Sequence, residues 1–538
     1  MTGFPPRDLA ELLGLPPPRI AIRAFAVLLI SLAFWSCASA GAAPEAGAPV
    51  PEGPAAGSAE AAAATITAEE MRDHIAYLAS DELRGRDTPS PGLEAAAEYL
   101  AAEFAAIHLE PAGDAGSYVQ RFPYEQASFA PSEMRMAYDG PDGGAVWGYA
   151  SDYFVLPAEV ESASGEALFL GPLSAAAAEV PEDAAGRILV VSSPPNIGLE
   201  LLTAARNASA AGAIGLVLIL HPAITPEILA QIAGQLEGFP RMPIPVFGLR
   251  REKAGELFEA ASLDLGQLEG EEREAGSEAA PLPLEGVGLT LRMGLTRETH
   301  TPPNVVALLP GRDPDLRDTY LIFSAHFDHV GVGSPDASGD SIYNGADDDA
   351  SGTSLLLEVA EAFASLRERP ARSILFLAVS GEEKGLLGSR HFVSNPTVPI
   401  ERVVANINVD MIGRNAPDTV IAVGEEYSSL GPLARRIAVE HPELGLAVAA
   451  DPDPSEHAFF RSDHVSFVRR EIPAIFITSW LHDDYHRPSD EVERIDADKA
   501  ARVARLVFLL GHAVANDPEP PRWTDWETVR QVLERAPF

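Results

Sequence analysis

Short apolar runs alternate with helical patterns along the second half of the chain. Four runs rich in Val, Ile, Leu and Phe have the length of strands, namely Tyr320 to Ala325, Ser373 to Val379, Val403 to Val409 and Ala474 to Thr478. Apolar residues also recur at helical spacing over Ser354–Leu366, Leu430–Glu440 and Ala497–Val514. Apolar strands that alternate with helices are typical of an α/β fold whose mostly parallel central sheet carries helices on both faces. We therefore predict this fold class for the main domain.

The sequence before this half predicts further helices of the same domain. Thr67 and Glu70 have the spacing of a capping box, so a helix is expected to begin there and to end near Leu78. Apolar residues at helical spacing predict a second helix from about Gly92 to Ile107. These helices precede the motifs considered below and belong to the first part of the main domain.

Residues 145–285 have a strand–helix–strand pattern of their own, which predicts a smaller α/β domain inserted into the main one. A buried strand at Arg187–Val191 is followed by a helix at Leu201–Ala211 and a strand at Ile214–Leu220. A stretch rich in Glu, Gly and Pro, from Gly266 to Pro283, has the composition of an exit linker. The segment contains no cluster of catalytic residue types, so a non-catalytic role is predicted for it.

The N-terminus carries the pattern of an export signal. An apolar run from Ala24 to Trp35 follows two arginines and is too short to span a bilayer comfortably. Two endings fit this run: cleavage at Ala38-Ser39-Ala40, which gives a soluble product, or lipidation of Cys37, which gives a membrane-anchored lipoprotein. Residues 41–64, rich in Ala, Pro and Gly, predict a disordered tether. We expect an exported protein that is periplasmic, secreted or lipid-anchored.

These patterns divide the chain into six segments. They are, in order, a signal peptide or lipoprotein signal (1–40), a disordered linker (41–64), the first part of the main domain (65–144), the insert domain (145–285), the second part of the main domain (286–516) and a C-terminal tail (517–538).

The composition argues against a nucleic-acid partner and excludes cysteine-based cross-links and metal sites. The formal net charge is -40 at pH 7, which argues against a nucleic-acid partner held by a basic patch. Cys37 is the single cysteine of the sequence, which excludes an internal disulfide and a thiolate metal cluster. Any metal site must therefore be built from oxygen and imidazole ligands.

Acidic and histidine-containing motifs lie where a parallel sheet binds its ligands, at the carboxyl ends of the predicted strands. They are His326-Phe327-Asp328, Asn344-Gly345-Ala346-Asp347-Asp348-Asp349-Ala350-Ser351-Gly352, Ser380-Gly381-Glu382-Glu383, Asn408-Val409-Asp410-Met411 and Tyr485-His486-Arg487-Pro488-Ser489-Asp490. Crowded carboxylates repel one another, and burying them without a cation is costly. Because a pair of divalent metal ions removes that cost, the sequence predicts a metal centre at this edge.

In this order, the motifs resemble those of the co-catalytic zinc exopeptidases of metallopeptidase family twenty-eight, which includes secreted bacterial aminopeptidases. The segment Leu78 to Arg86 also resembles the N-terminal segment of that family. The insert, with Gly212-Ala213-Ile214-Gly215 and Ile244-Pro245-Val246, resembles a protease-associated domain. The resemblance covers about Thr67 to Asn516 apart from the insert, and it implies a zinc-exopeptidase fold with peptide substrates.

The resemblance also implies two zinc ions per chain and their ligands. His326 and Asp410 would hold one ion, and Glu383 and His486 would hold the other. Asp348 would bridge both ions. Oxygen and imidazole ligands without sulfur suit zinc, and they also suit cobalt or manganese.

Further roles follow from the same resemblance. Asp347 and Asp349 are the alternatives to the bridging aspartate if the register differs by one residue. Asp328 would orient the ring of a ligand histidine. Glu382 matches the general base of the family. Tyr485 matches a tyrosine that hydrogen-bonds the developing oxyanion in some members, and ordinary packing beside a ligand is the equal alternative.

Other ionisable residues receive lesser roles. The pair Asp463-His464 is expected in the wall of the site or behind its ligands, and His391, His441 and His482 are expected at the surface.

The predicted activity is that of a zinc-dependent aminopeptidase, which removes N-terminal residues from peptides with a metal-activated water and a glutamate base. Three alternatives remain open. They are a carboxypeptidase of the same family, a glutaminyl cyclase-like transferase with a single zinc ion, and a non-catalytic, receptor-like binding protein.

Overall fold

The structure is a computed structural model that describes residues 57–194, 200–226, 228–229, 241–268, 281–453 and 458–534. The predicted signal at residues 1–40 and most of the predicted linker lie outside the described residues. In the part of the chain that is described, no helix has the length and apolar character needed to cross a membrane. The chain divides into two compact units, one containing Glu125–Glu298 and the other Ala40–Tyr124 with Thr299–Phe538.

The strands are numbered in chain order. They are β1 (Glu110–Pro111), β2 (Val119–Arg121), β3 (Tyr124–Phe129), β4 (Arg135–Gly140), β5 (Gly143–Trp147), β6 (Tyr153–Leu156), β7 (Ser162–Pro172), β8 (Ile188–Ser192), β9 (Gly215–Ile219), β10 (Val246–Leu249), β11 (Leu282–Arg292), β12 (Leu295–His300), β13 (Pro303–Leu309), β14 (Tyr320–His326), β15 (Gly331–Val332), β16 (Ile342–Tyr343), β17 (Ser373–Val379), β18 (Val403–Val409), β19 (Thr419–Val423), β20 (Ala447–Ala449) and β21 (Ala474–Thr478).

The α-helices are numbered in the same way. They are α1 (Ala59–Ala63), α2 (Ala68–Leu78), α3 (Pro91–Ala106), α4 (Leu173–Ala178), α5 (Glu200–Ala210), α6 (Arg251–Ala260), α7 (Gly352–Ser365), α8 (Leu387–Ser394), α9 (Leu430–Glu440), α10 (His464–Val468), α11 (Ala497–Asn516) and α12 (Trp526–Glu534).

The larger unit is built on a nine-stranded sheet in the order β1-β13-β17-β14-β18-β21-β19-β20, with β2 also paired to β13. The four central strands, β17, β14, β18 and β21, run parallel, whereas β13 and β19 join them antiparallel. The predicted α/β fold is therefore confirmed, with the parallel pairing concentrated at the centre. His326 pairs with Val379, and Asn408 pairs with Phe476, so the four central strands end at one edge.

The helices cover the sheet because each presents an apolar face to it. On one face, the rings of Phe323 and Phe376 stack at 5.7 Å, and Phe363 packs against Phe508 of α11 at 4.6 Å. A Cβ atom at Gly511 would come within 2.1 Å of the Phe323 ring, so glycine permits the close approach of α11. Each fully buried Phe side chain of this kind contributes roughly 1.5–3 kcal/mol to stability. This packing fixes the strands whose ends carry the polar motifs.

The smaller unit contains its own core and an eight-stranded sheet in the order β5-β4-β11-β7-β8-β9-β10-β6. Strands β7 to β10 run parallel, and β11 pairs antiparallel with β4 and β7. The unit begins earlier and ends later than the predicted 145–285, because β4, β5 and β11 belong to this sheet. These antiparallel strands are partly exposed, so their sequences lack a continuous apolar run. Its likeness to a protease-associated domain stays a prediction.

Part of the predicted linker is ordered, and the predicted C-terminal tail contains a helix. Helix α1 lies within the predicted disordered linker 41–64, where Ser58 caps the helix and the side chains of Ala62 and Ala63 are buried. Alanine is the strongest helix former, and α1 packs on α7 and α11, which explains why this alanine-rich stretch folds. In the C-terminal tail, Val529 of α12 is buried against the main unit.

Candidate metal centre

The elements of the sheet bring the predicted motifs together at one edge. His326 ends β14, Asp410 follows β18, and the loop with Glu383 follows β17. Asp348 lies in a single wide turn, Ala346–Ser351, directly before α7. This turn requires a glycine before it, because Gly345 has a φ of 60° and a Cβ there would approach Asp348 O to 2.2 Å.

One group of potential ligands consists of His326, Asp348 and Asp410. His326 Nε2 lies 3.3 Å from Asp348 Oδ1 and 3.5 Å from Asp410 Oδ1. Ser462 Oγ donates a hydrogen bond to the other Asp410 oxygen, Oδ2, at 2.9 Å. That bond leaves Oδ1 facing His326. Burial lowers the pKa of His326, but Asp410 and the other carboxylates around it raise this pKa well above its usual range.

A second group contains His329, Asp348, Glu383 and His486. His486 Nε2 lies 3.1 Å from Asp348 Oδ2 and 3.1 Å from Glu383 Oε2. His329 Nδ1 lies 2.9 Å from the other oxygen, Glu383 Oε1. Burial opposes the ionisation of Glu383, but the neighbouring histidines lower its pKa to about 2, so it is a carboxylate at neutral pH.

Asp348 connects the two groups. Its Oδ1 faces His326, and its Oδ2 faces His486. Within the described residues, Asp348 Oδ2, Asp410 Oδ1 and His486 Nε2 are buried, and their close contacts with the facing imidazole and carboxylate groups do not have the geometry of hydrogen bonds. Buried polar atoms of this kind require a partner. The donor set of imidazole nitrogens and carboxylate oxygens fits two divalent cations that share one carboxylate.

The neighbouring aspartates have other partners. Asp347 Oδ1 accepts hydrogen bonds from Gly413 N and Ser351 Oγ. Asp349 Oδ1 accepts from Gly352 N and Met411 N, and burial raises the pKa of Asp349 well above its usual range. Of the three consecutive aspartates, Asp348 is therefore the one whose oxygens face both groups.

Asp328 lies behind His326, but its carboxylate is occupied elsewhere. The nearest acceptor to His326 Nδ1 is the backbone oxygen of Asp328 at 3.2 Å, whereas the carboxylate Oδ1 lies at 3.6 Å. Oδ1 accepts a hydrogen bond from Glu382 N, and Oδ2 accepts one from Thr88 Oγ1. Asp328 thus links the His326 loop to the loop that carries Glu382 and Glu383.

Glu382 lines a cavity that also includes Asp348 and Asp410. Burial raises the pKa of Glu382 well above its usual range, and the charges of Glu383 and Asp463 act in the same direction. A carboxyl group with a raised pKa beside such a site is a stronger base than an ordinary glutamate, which suits a general base.

Tyr485 lies at the same cavity and stacks on His486 with a centroid distance of 3.9 Å. Burial raises the pKa of its hydroxyl, so Tyr485 remains protonated and can donate a hydrogen bond. The Arg461 guanidinium lies 5.8 Å from the Tyr485 ring, and its Nη2 lies 3.5 Å from the hydroxyl oxygen. The position fits both the catalytic role and the packing role anticipated from sequence.

His329 is a residue of the site that the sequence analysis did not identify. It is 0% exposed and lies three residues after His326, so it shares the same loop. The signal for it was present in the sequence as His326-Phe327-Asp328-His329, but a single additional histidine carries little information. Its contact with Glu383 Oε1 makes it either an extra ligand or a group that orients Glu383.

The expectation that His482 lies at the surface is wrong. Its side chain is 3% exposed, and its Nε2 lies 3.3 Å from Asp347 Oδ2. The residue follows β21 at the edge where the metal-binding motifs meet, which explains its burial. The other two histidines fit the expectation more closely: His441 pairs with Glu443, and His391 stacks on Phe122 with intermediate exposure.

The pair Asp463-His464 is buried behind the site. Burial raises the pKa of Asp463 to about 7, and the residue lies close enough to Asp410 and Glu382 to interact with their charges. His464 stacks on Phe476 with a centroid distance of 5.2 Å. The pair fits the predicted position behind the ligands.

His464 leads to a prediction about acid stability. Burial lowers its pKa to about 3, whereas the ordinary pKa is 6.5, so the unfolded chain binds a proton that the folded chain does not. The free energy of unfolding should therefore fall as the pH drops below about 6.5, by up to ~1.4 kcal/mol per pH unit from this group. Urea unfolding at pH 7.5 and pH 5 should show a smaller difference in His464→Phe than in the wild type. A His441→Phe control should keep the wild-type difference, and equal pH slopes in all three proteins would contradict the prediction.

Comparison with known proteins agrees with this geometry. Residues 304–510 match the sequence model of a protein family described as "Peptidase family M28". Aminopeptidase YwaD of Bacillus subtilis (strain 168) is 25% identical over 348 residues, which cover 63% of this chain and 65% of that protein. A probable zinc metalloprotease of Pyricularia oryzae is 41% identical over 265 residues, which cover 41% of this chain and 51% of that protein. The chain thus spans between half and two thirds of the length of these relatives.

The fold has a solved counterpart. An aminopeptidase from Aneurinibacillus sp. strain AM-1 superimposes with a TM-score of 0.54 and 20% identity, over 86% of this chain and 97% of that chain. At this identity the likeness shows a common fold. The sequence match is confined to residues 304–510, and this part of the chain is similar to peptidase family M28.

Proposed function

We propose that the protein is a zinc-dependent aminopeptidase that hydrolyses the peptide bond after the N-terminal residue of a peptide. The observation that carries the proposal is the position of Asp348, whose two oxygens face separate groups of imidazole and carboxylate ligands. The names of the relatives, an aminopeptidase and a probable zinc metalloprotease, support the same activity.

Two zinc ions fit the ligands that the chain provides. His326 and Asp410 would hold one ion, Glu383 and His486 would hold the other, and Asp348 would bridge them. The carboxylates of Asp348, Glu383 and Asp410 carry three negative charges, which two divalent ions more than neutralise. When bound, zinc polarises a carbonyl oxygen and lowers the pKa of a coordinated water to ~7.

The chain's own residues would move the protons. Glu382 would accept a proton from the attacking water and would donate it to the nitrogen of the departing amine. Its burial fits this role, because a raised pKa lets it hold the proton between the two steps. The Tyr485 hydroxyl would donate a hydrogen bond to the oxyanion that develops on the substrate carbonyl.

The cavity indicates the substrate class. Met411, Phe476, Trp480 and Leu481 give it apolar walls beside the carboxylates of the centre. Such a cavity fits an apolar side chain of the N-terminal residue, while nearby carboxylates can hold its ammonium group. Arg461 is the one basic residue among the described residues of the lining, and it is the group that a carboxypeptidase would need for a substrate carboxylate.

The proposal is tested with the purified protein on matched substrates. We expect hydrolysis of leucine p-nitroanilide, loss of activity after prolonged chelation and recovery with added zinc. N-acetyl-leucine p-nitroanilide should not be hydrolysed, because the carboxylates would no longer meet an ammonium group. Cleavage of N-blocked peptides from the carboxyl end would support the carboxypeptidase instead. Cyclisation of N-terminal glutamine with about one zinc ion per chain would support the transferase.

The same assay tests the cell compartment. The leader pattern of residues 1–40 supports export, either as a soluble protein or through a lipid anchor at Cys37. Activity is expected outside the cytoplasm after cell fractionation, and activity confined to the cytoplasm would contradict export.

A further inference from the structure

Arg86 is a buried, positively charged residue that is not one of the proposed metal ligands. Its side chain is 0% exposed, and it ends the short helical segment Asp81–Arg86 that follows α2. Burial of a guanidinium is costly unless its donors are satisfied. Arg86 is also far in sequence from the motifs of the metal centre, so its contacts report on how the chain is assembled there.

Arg86 donates four hydrogen bonds, and each acceptor is a backbone carbonyl oxygen. Nε donates to Phe327 O at 2.8 Å, Nη1 donates to Asn344 O at 2.8 Å, and Nη2 donates to Gly345 O at 3.1 Å. Nη1 also donates to Leu78 O, at the end of α2. The planar guanidinium therefore joins three separate segments of chain in one fixed geometry.

Two of these segments carry proposed metal ligands. Phe327 directly follows His326, and Gly345 lies three residues before Asp348. A return contact strengthens the connection, because His329 N donates to the backbone oxygen of Arg86 at 3.3 Å. Arg86 thus links the His326 loop to the Asp348 turn, in addition to two direct hydrogen bonds: His326 N donates to Asp349 Oδ2 at 3.3 Å, and Thr353 Oγ1 donates to His326 O at 2.7 Å.

The charge of Arg86 has a second effect on the same loops. The carboxylates of Asp328, Asp349, Asp348 and Asp490 favour the charged form of its guanidinium and raise its pKa, against the effect of burial. A fixed positive charge beside them reduces their mutual repulsion. Thr88, two residues further on, donates to Asp328 and accepts a hydrogen bond from Gly381 N, so the same segment also reaches the glutamate loop.

We infer that Arg86 is a positioning residue, which contributes to the separation of His326 and Asp348 and thereby to the affinity of the metal position that these two residues share with Asp410. The inference rests on the proposed zinc centre. It differs from a purely structural role, because it requires a change in metal binding beyond any change in overall stability.

The test uses Arg86→Lys, which keeps the charge and loses the planar set of donors. Arg372→Lys is the matched control, because Arg372 is 2% exposed and bonds to Thr319 Oγ1, Asp517 O and Pro518 O, none of which belongs to the metal centre. Each protein is loaded with zinc, and the release of zinc into a chromogenic chelator is followed. The proteins are compared in the zinc-loaded state, because bound zinc stabilises the fold even of a variant whose folding stability is lowered.

We expect Arg86→Lys to release one zinc ion per chain ~10–100-fold faster than the wild type, as for loss of a group that orients a metal ligand. Arg372→Lys should release zinc at the wild-type rate, even if its Tm falls as much. The visible spectrum of the cobalt-substituted protein should change in Arg86→Lys alone. Arg86→Gln, which removes the charge, should show at least the same acceleration and covers the case in which lysine is not accommodated.

Equal release rates in the Arg86 and Arg372 variants would overturn the inference and would leave Arg86 a structural residue. A wild-type protein that takes up no zinc would instead contradict the proposed function. The two failures are therefore distinguishable.

Discussion

Replacing Glu382 by glutamine is expected to lower kcat by ~10²–10⁴-fold while both zinc ions stay bound. Glutamine has nearly the same shape as glutamate but cannot accept the proton of the attacking water. Because Glu382 is not among the grouped ligand atoms, its loss should leave metal content unchanged. The measurement is kcat with leucine p-nitroanilide, together with the zinc content of the dialysed protein.

A buried glutamate outside the cavity provides the control. Glu358 is 3% exposed, and burial raises its pKa as well, but it pairs with His74. Glu358→Gln should retain kcat close to the wild-type value. Full activity in Glu382→Gln would show that Glu382 is not a general base, and loss of zinc would show that it contributes to metal binding.

Replacing Asp348 by alanine is expected to have the second large effect, the loss of zinc from both positions. Its two oxygens face His326 and His486, so one substitution removes a ligand from each group. The loss of affinity should exceed the ~10–100-fold typical for removal of a group that only orients a ligand. Zinc content after dialysis and kcat are the measurements, and kcat should fall with the metal.

Asp410 gives the matched comparison, because it belongs to one group only. Asp410→Ala should lower zinc occupancy mainly at the position it shares with His326. Retention of one full zinc ion per chain by Asp348→Ala, at wild-type affinity, would show that Asp348 does not bridge the two positions.

The strands of the main unit could be predicted closely because they are buried on both faces. Ser373–Val379, Val403–Val409 and Ala474–Thr478 have the same bounds in sequence and structure. A mostly apolar buried strand ends near the point where charged residues begin, so the motif positions follow from the same pattern. This is why the sequence could place His326, Asp348 and Asp410 at one edge.

The sequence could not identify residues whose burial and contacts arise only when the loops fold. His329 and His482 are isolated histidines in the sequence, and their burial arises only when the loops after β14 and β21 converge. The role of Arg86 could not be predicted either, because it donates to backbone oxygens, which every residue has. The boundaries of the smaller unit were missed for a different reason, because its partly exposed strands have weak apolar patterns.

The proposed bridging role of Asp348 has a thermodynamic consequence. If one side chain serves two cations, occupancy of either position alters the orientation and charge that the other cation meets, and linkage requires this influence to be equal in both directions. The two affinities therefore cannot be adjusted independently by evolution or by mutagenesis. The zinc occupancies of the two positions would therefore depend on each other as the free zinc concentration changes.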